Sequence, residues 1–598
     1  LIFSTYPLVC FNQENPLRYI LSPGSAIFAK LFFIVYNAMQ MQETKTPSNK
    51  YPFIPLLFLF YFGFYVLTCC RSVGWVDASA HARYVYKLEI GYWVNKHNLF
   101  ILLGNLWTHI LPWKDNIAYQ LNLFSAFWGA VTVYFIFLSG LKVTQNFLAS
   151  FLGSIALLFS HSLWWHSTMT EVYTLNTALL AIVIFAIAKF ERTRNENDML
   201  LASFVFGLSC VNHVLMWLFV FSFLKVAIVL SKDKERKRTQ TLLKMTLCFF
   251  AGFQIYIIIF INDFVRLAHF TQFKTHNKWL LFGAIWDSAT GGHFKQAMFP
   301  SYGLPFFESV KIYLLWFLNY LLTLVMNYPS PALILACVGF WAFLKKQDNR
   351  LIFFFTSLCF VINSVWVIGY HVWDQYAFGL PSWVILGLWV IVGFDYFLKV
   401  AKSALAGATL IFFSFFIGPW VYAQIPQWAH QPGFWRTYFS NFDFVSNLWD
   451  PAEYFGSPDK RRENSAQRIS ASILAKLPRG AIVYDSDGKS YYPLKLYYQD
   501  IYGVRPDVQY FQFFGPTSSE TEADGHAARI MKQLNEGRDV FISSLYWPEL
   551  MIIRSLYKLT EHKEPDKDLM EFTQIKFKKI PLLEGQPYCI YQIVKNGS

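Results

Sequence analysis

The sequence predicts a polytopic α-helical membrane protein that ends in a soluble α/β domain. Three observations carry this. Of 598 residues, 55% are hydrophobic, 20% aromatic and only 15% charged, where ordinary soluble domains carry about 25% charge. Apolar runs long enough to cross a bilayer, or nearly so, recur between residues 53 and 423. Beyond about residue 430 the polar residues return, with Gly and Pro turns. A disordered chain, a fibrous repeat and an average soluble enzyme are thereby excluded.

The net charge is +13, and its distribution decides its meaning. Residues 1–429 hold 30 Lys+Arg against 17 Asp+Glu, while residues 430–598 hold 21 of each. An excess confined to the apolar part reads as basic loops on the cytoplasmic side of a membrane. A nucleic-acid-binding protein would collect its charge on a soluble face, so no nucleic acid is expected as a partner. The eight cysteines are scattered, mostly in apolar runs. They form neither a disulfide framework nor paired metal spacing, so no metal and no cofactor is implied.

In chain order, residues 1–50 are expected to lie outside the fold, because 25–38 is short for a span and Lys30 interrupts it. Residues 51–428 form the membrane domain. Its apolar runs lie near 53–70, 118–141, 147–163, 170–190, 199–213, 214–231, 243–262, 309–327, 330–345, 351–369, 378–398 and 404–423, which makes about 11–12 transmembrane helices. Two basic clusters mark the cytoplasmic side: Lys189, Arg192 and Arg194, then Lys232, Lys234, Arg236, Lys237 and Arg238. Counting from them puts 71–117, 161–170, the turn at 212–214, 263–308 and 370–377 outside. Lys345, Lys346 and Arg350 belong inside, yet 309–345 reads as two helices broken at Pro329-Ser330-Pro331. The helix at 309–327 is therefore expected to lie in the interface or to re-enter. Residues 429–598 follow as an outside α/β domain. They offer a strand at 481–484, a helix at about 490–502 and an aromatic strand at 508–514. A weaker repeat follows near 526–545, then a β-rich end at 571–594.

The outside segments carry most of the chemistry-bearing residues of the membrane domain. Asp77 stands just past the first span beside Trp75. A carboxylate there suits a general base, and equally suits the N-cap of a helix at 78–93. Glu171 opens a span on the outside, where the helix dipole favours a negative charge, and Asn176 lies deeper in the same helix. Asn212-His213 joins two spans with almost no loop, and the histidine there is either a polar turn residue or a partner for a phosphate. Thr290, Gly291, His293 and Lys295 form a glycine-containing loop whose amides can cradle an anion. Asp374 lies in the outside loop at 370–376. Five polar clusters on one side imply a cavity there.

These residues also carry a resemblance. Asn122-Leu123-Phe124-Ser125-Ala126, Glu171-Val172-Tyr173-Thr174-Leu175-Asn176, Gly207-Leu208-Ser209 with Asn212-His213, and Thr290-Gly291-Gly292-His293-Phe294 belong to it. So do Asp374 with Phe378-Gly379-Leu380-Pro381-Ser382, Leu477-Pro478-Arg479-Gly480-Ala481-Ile482 and Gly503-Val504-Arg505-Pro506-Asp507-Val508. The chain resembles a large family of bacterial membrane proteins related to the plexin-type transmembrane protein O-mannosyltransferase, within the GT-C superfamily. The resemblance implies a GT-C-like fold and a polyprenyl-phosphate sugar as donor substrate, with a protein or glycan as acceptor and membrane lipid as surroundings. It implies Asp77 as the base that activates the acceptor, and Glu171, Asn176 and Asp374 as cavity residues. His213, His293 and Lys295 would meet the phosphate charge. One departure stands out: the family's Asp-Ser-Gly-Glu string is Asp77-Ala78-Ser79-Ala80 here, so the second carboxylate of that loop is missing. The functional expectation is a membrane glycosyltransferase moving a sugar, mannose, onto Ser or Thr hydroxyls. The alternatives are a non-enzymatic scaffold with a partner-binding soluble domain, or a transporter of lipid-linked glycans. The only N-glycosylation sequon is Asn596-Gly597-Ser598, which points to a bacterial inner membrane with the C-terminal domain in the periplasm.

Overall fold

The computed structural model describes residues 54–91, 96–111, 116–231, 238–269, 283, 305–346, 349–370, 375–401, 404–430, 448, 450–486, 491–513, 520–545, 549–563 and 571–596. The chain divides into two compact units, Leu1–Gly63 and Phe64–Ser598. The described part of the first is the start of an apolar helix, α1 (Ile54–Thr68).

The apolar runs of the membrane domain fold as helices, because backbone polar groups in lipid must pair within their own segment. After the loop helices α2 (Asp77–Lys87) and α3 (Asn98–Ile110) come α4 (Ile117–Thr144), α5 (Phe147–Leu158), α6 (His161–Ser167), α7 (Tyr173–Thr193) and α8 (Glu196–Asn212). A 3₁₀ segment at Val214–Phe219 leads into α9 (Val220–Ser231), followed by α10 (Arg238–His269), α11 (Phe306–Asn327) and α12 (Ala332–Lys345). Then come α13 (Arg350–Gly369), the short α14 (Gln375–Phe378), α15 (Leu380–Val400) and α16 (Ala404–His430). Seven described helices are long and apolar enough to cross a membrane: the main parts of α4, α7, α10, α11, α13, α15 and α16. Helices α5 and α6 are bent by 69° at Phe159-Ser160 and would make an eighth span if counted as one. The other expected spans are helical too, but shorter. With 14 residues, α12 rises only about 21 Å, short of a hydrocarbon core of about 30 Å.

The helices pack through glycine. A methyl group at Gly339 of α12 would stand 1.8 Å from the Trp389 carbonyl oxygen of α15, and one at Gly393 would stand 2.0 Å from the Leu335 carbonyl oxygen. Gly207 of α8 and Gly252 of α10 face backbone at 2.2 Å in the same way. Small residues let the backbones meet where lipid supplies no hydrophobic drive.

The two ends of the bundle differ in chemistry. At one end Lys189 pairs with Asp198 at 2.7 Å, Arg192 donates to the Lys142 carbonyl, and the buried Asp395 receives Lys346 and Lys399 at 3.2 and 2.8 Å. Glu191 caps α13 by accepting from the Leu351 and Ile352 amides. Of the basic groups expected inside, Lys189, Arg192, Lys346 and Lys399 therefore share one end, while Lys232, Lys234, Arg236 and Lys237 lie outside the described residues. The C-terminal half of α11 keeps to the other end: Asn319 meets Gln375, Tyr320 meets Ser364, and Asn327 meets the Ser162 amide.

After α16 come α17 (Pro451–Gly456) and α18 (Ser465–Lys476), then a five-stranded sheet of order β2-β1-β3-β5-β4. Strands β1 (Ile482–Ser486), β2 (Gln509–Phe513) and β3 (Val540–Ile542) are parallel. Strands β4 (Ile575–Pro581) and β5 (Cys589–Lys595) close the sheet antiparallel. The stretch expected as a helix at 490–502 is a π-helix at Tyr492–Gln499 running into α19 (Asp500–Tyr502). Helices α20 (Glu520–Asn535) and α21 (Glu549–Glu561) bury Ala527, Ile530, Ile552 and Leu556 against Tyr484, Val540 and Ile542.

Candidate active site

The first loop turns sharply before its carboxylate. A methyl at Gly74 would lie 2.2 Å from Met169 Cε and 2.8 Å from Tyr454 Oη, so any side chain there would have to displace both. The Trp75 amide donates to Tyr454 Oη at 3.1 Å, and its indole N–H donates to Ser465 Oγ at 2.8 Å. Val76 then adopts φ 55°, ψ −134°, a conformation that a β-branched residue rarely takes. Asp77 follows as the first residue of α2. The expected N-cap position falls instead on Val76, and the helix ends at Lys87, with Leu88 left-handed, rather than at 93. Asp77 thus holds its carboxylate at a helix N-terminus, where the dipole favours its charged form.

Glu171 is fixed from a different direction. Its amide donates to Ser125 Oγ at 3.1 Å, and that hydroxyl donates back to the Glu171 carbonyl at 3.3 Å. Beside it, Thr170 donates to Asn122 Oδ1 at 2.6 Å, while Asn122 Nδ2 donates to the carbonyls of Cys70 and Ser72. These bonds tie the turn before α7 to the stretch that leads into the first loop.

Asp77 and Glu171 line one recess, together with Trp75, Val76, Trp165, His166, Tyr173, Tyr376, Ala377, Tyr454 and Phe455. The recess thus receives one carboxylate from the first loop and one from the turn before α7. The segment after α16 supplies part of the wall. Its carbonyls accept from the membrane helices: Tyr454 from Trp165 Nε1, Gly456 from His161 Nε2 and Pro458 from Thr168 Oγ1. Lys460, 1% exposed, donates to the Tyr454 carbonyl, and burial pushes its ammonium down to about 8.

The other expected residues fall into two groups. Asn176 is buried one turn into α7, and neither its Oδ1 nor that of Asn212 meets a hydrogen-bond partner among the described residues. His213 is buried outside the recess lining, stacked on His97 at 4.9 Å and beside Tyr173 at 5.4 Å. The Leu215 amide donates to His213 Nδ1 at 3.1 Å, so that nitrogen carries no proton and the ring is neutral. In that tautomer Nε2 carries the proton, so His213 offers a hydrogen-bond donor there. In the first loop Glu89 pairs with Arg83 at 2.9 Å and Lys96 at 3.4 Å, and Arg83 also pairs with Asp500 at 2.8 Å. Thr290, Gly291, His293, Lys295 and Asp374 lie outside the described residues. Among the described residues, no three His, Cys, Asp or Glu side chains converge in a metal-binding arrangement.

Sequence reasoning missed the walls. Trp165 and His166 belong to His161-Ser162-Leu163-Trp164-Trp165-His166, an aromatic stretch expected outside without Lys or Arg, and that composition was a signal. Tyr454 carried none, because its partner Trp75 is 379 residues away. The resulting site pairs two carboxylates with aromatic faces. Its carboxylates can accept a proton, and its rings offer apolar faces beside them.

Residues 77–238 match the family model described as Protein O-mannosyl-transferase TMEM260 N-terminal domain, and Asp77 opens the match. Protein O-mannosyl-transferase TMEM260 of Mus musculus is 24% identical over 212 residues, which cover 35% of this chain and 30% of the mouse protein. Its counterpart in Dictyostelium discoideum is 25% identical over 142 residues, 24% of this chain and 17% of that one. The match thus spans less than a third of either curated relative. ArnT from Cupriavidus metallidurans in the apo state superposes with a TM-score of 0.51 and 10% identity, over 90% of this chain and 97% of that chain, and so shares the fold. The chain is an integral membrane protein of GT-C-like fold, similar over residues 77–238 to the TMEM260-type protein O-mannosyl-transferase family.

Proposed function

We propose that this protein is a membrane glycosyltransferase that moves mannose from a polyprenyl-phosphate-linked donor to a Ser or Thr hydroxyl of a protein acceptor. The reaction would run on the extracytoplasmic face of a bacterial inner membrane, with the α/β domain in the periplasm. One observation carries the reading: Asp77 and Glu171, from separate segments, line one aromatic-walled recess. The curated relatives, named as protein O-mannosyl-transferases, support the choice of sugar and acceptor.

In this reading Asp77 takes the proton of the acceptor hydroxyl. The hydroxyl oxygen attacks the anomeric carbon, the bond from that carbon to the phosphate oxygen breaks, and the polyprenyl phosphate leaves with the electron pair. Attack from the side opposite the phosphate inverts the anomeric centre. Glu171 orients the sugar, and the rings of Trp165, Tyr173 and Tyr376 pack on its apolar faces and exclude water. His293 and Lys295 are proposed to meet the charge on the departing phosphate.

Asp77→Asn tests the role of the base while keeping the side-chain shape. With polyprenyl-phosphate mannose and a Ser/Thr-containing peptide, it is expected to lower the rate of transfer about 10²–10⁴-fold, the usual contribution of a positioned general base. Undiminished transfer overturns the assignment.

A further inference from the structure

His166 stands in the wall of the recess and takes no part in the proton transfer assigned to Asp77. Its side chain is 1% exposed. Nδ1 lies 2.6 Å from the Ser162 carbonyl oxygen. A carbonyl only accepts, so Nδ1 carries the proton, and in a neutral ring Nε2 is left with its lone pair. The ring is fixed by Trp165, Tyr173 and Tyr376, with centroids at 4.9, 5.3 and 5.3 Å. The Ser162 contact is the one hydrogen bond His166 makes among the described residues. His161, in the same helix, shows the contrast: its Nε2 is engaged by the Gly456 carbonyl, which makes it a structural histidine.

We infer that His166 binds a hydroxyl of the substrate, offering Nε2 as a fixed hydrogen-bond acceptor inside the recess that holds Asp77 and Glu171. This rests on the glycosyltransferase reading for the identity of the ligand. The Ser162 carbonyl holds the Nδ1 proton, so the neutral ring offers Nε2 as an acceptor. It complements Asp77, which is the base. Two carboxylates and an imidazole lone pair are all acceptors, and aromatic faces surround them. That set matches a ligand whose polar groups are hydroxyls, whether on the donor sugar or on the acceptor side chain.

The test uses the full-length chain in proteoliposomes, with polyprenyl-phosphate mannose and a Ser/Thr peptide. His166→Phe keeps a ring and removes the acceptor. His166→Gln returns an amide oxygen near the position of Nε2. His166→Phe is expected to lower kcat/KM about 10–100-fold, and His166→Gln to recover about tenfold of that loss. A rise in KM for the donor assigns the bond to a sugar hydroxyl, and a rise in KM for the peptide assigns it to Ser or Thr; either supports the inference. His166→Phe transferring like the wild type overturns it, as does His166→Gln doing no better than His166→Phe.

A second readout needs no turnover. Polyprenyl-phosphate mannose should raise the melting temperature of the wild type more than that of His166→Phe, both first shown to elute as monodisperse species. Equal shifts overturn the inference. A His166-dependent shift in a wild type that transfers no sugar would leave this binding role standing and remove the glycosyltransferase reading.

Discussion

Val76 holds φ 55° and ψ −134° immediately before Asp77. A β-branched residue in that region stores strain of about 1–3 kcal/mol, and such strain persists only where surrounding contacts impose it. Two contacts do so here: Tyr454 Oη accepts from the Trp75 amide, and Gly74 sits hard against Met169. The strained turn leads directly into Asp77, which lines the recess. Val76→Gly frees this turn, and by loosening Asp77 it is expected to lower the rate of transfer. A variant with full activity would show that the turn has no part in placing the carboxylate. At this scale the sequence was half legible. Asp77 and Glu171 stood out because carboxylates are scarce in an apolar chain. That they share one recess did not, because the bonds that join their segments run through Ser125 and Asn122, 46 and 48 residues from their partners Glu171 and Thr170. For His213 the sequence left a polar turn residue and a phosphate partner both open, because its stack on His97 and its bond from the Leu215 amide exist only in three dimensions.

Among the elements, the helices themselves were the most legible part, because a long apolar run in lipid has little alternative to an α-helix. Their lengths were less so. The run at 147–163 hid the 69° bend between α5 and α6, which directs His161–Ser167 towards the recess. The close crossings were not read either, since a glycine in an apolar run looks the same whether it faces lipid or backbone. The structure separates the two cases. Gly369, at the end of α13, has nothing within 4 Å of an added methyl, whereas Gly339 and Gly393 meet backbone. Gly393→Ala is expected to destabilise by about 1–3 kcal/mol through overpacking, while Gly369→Ala leaves the melting temperature close to wild type. Thermal unfolding in detergent compares them directly, and equal melting temperatures would contradict the α12–α15 crossing.

For the whole molecule, the separation of charge organises everything else. Lys189, Arg192, Lys346 and Lys399 gather at one end of the bundle with Asp198 and Asp395. Asp77, Glu171 and the Tyr454 segment gather at the other, where Arg83 and Asp500 join the first loop to the α/β domain. Charge counting anticipated this division, because basic loops report sidedness through the way a chain inserts. It could not anticipate that the segment after α16 walls the recess. Two exposed positions test the division, Arg461 beyond α17 and Lys345 at the end of α12. Each is replaced by Cys, one at a time, in a chain whose exposed Cys337 is first changed to Ala. A membrane-impermeant thiol reagent applied to intact cells should label position 461 and spare position 345. Labelling of position 345 alone would reverse the orientation.

The most direct measurement is a structure of the full-length protein with polyprenyl-phosphate mannose bound. The expected result is the sugar ring in the recess, among Trp165, Tyr173 and Tyr376, with its anomeric carbon facing Asp77. A sugar bound away from Asp77 and Glu171, or at the basic end of the bundle, would contradict the proposed reaction.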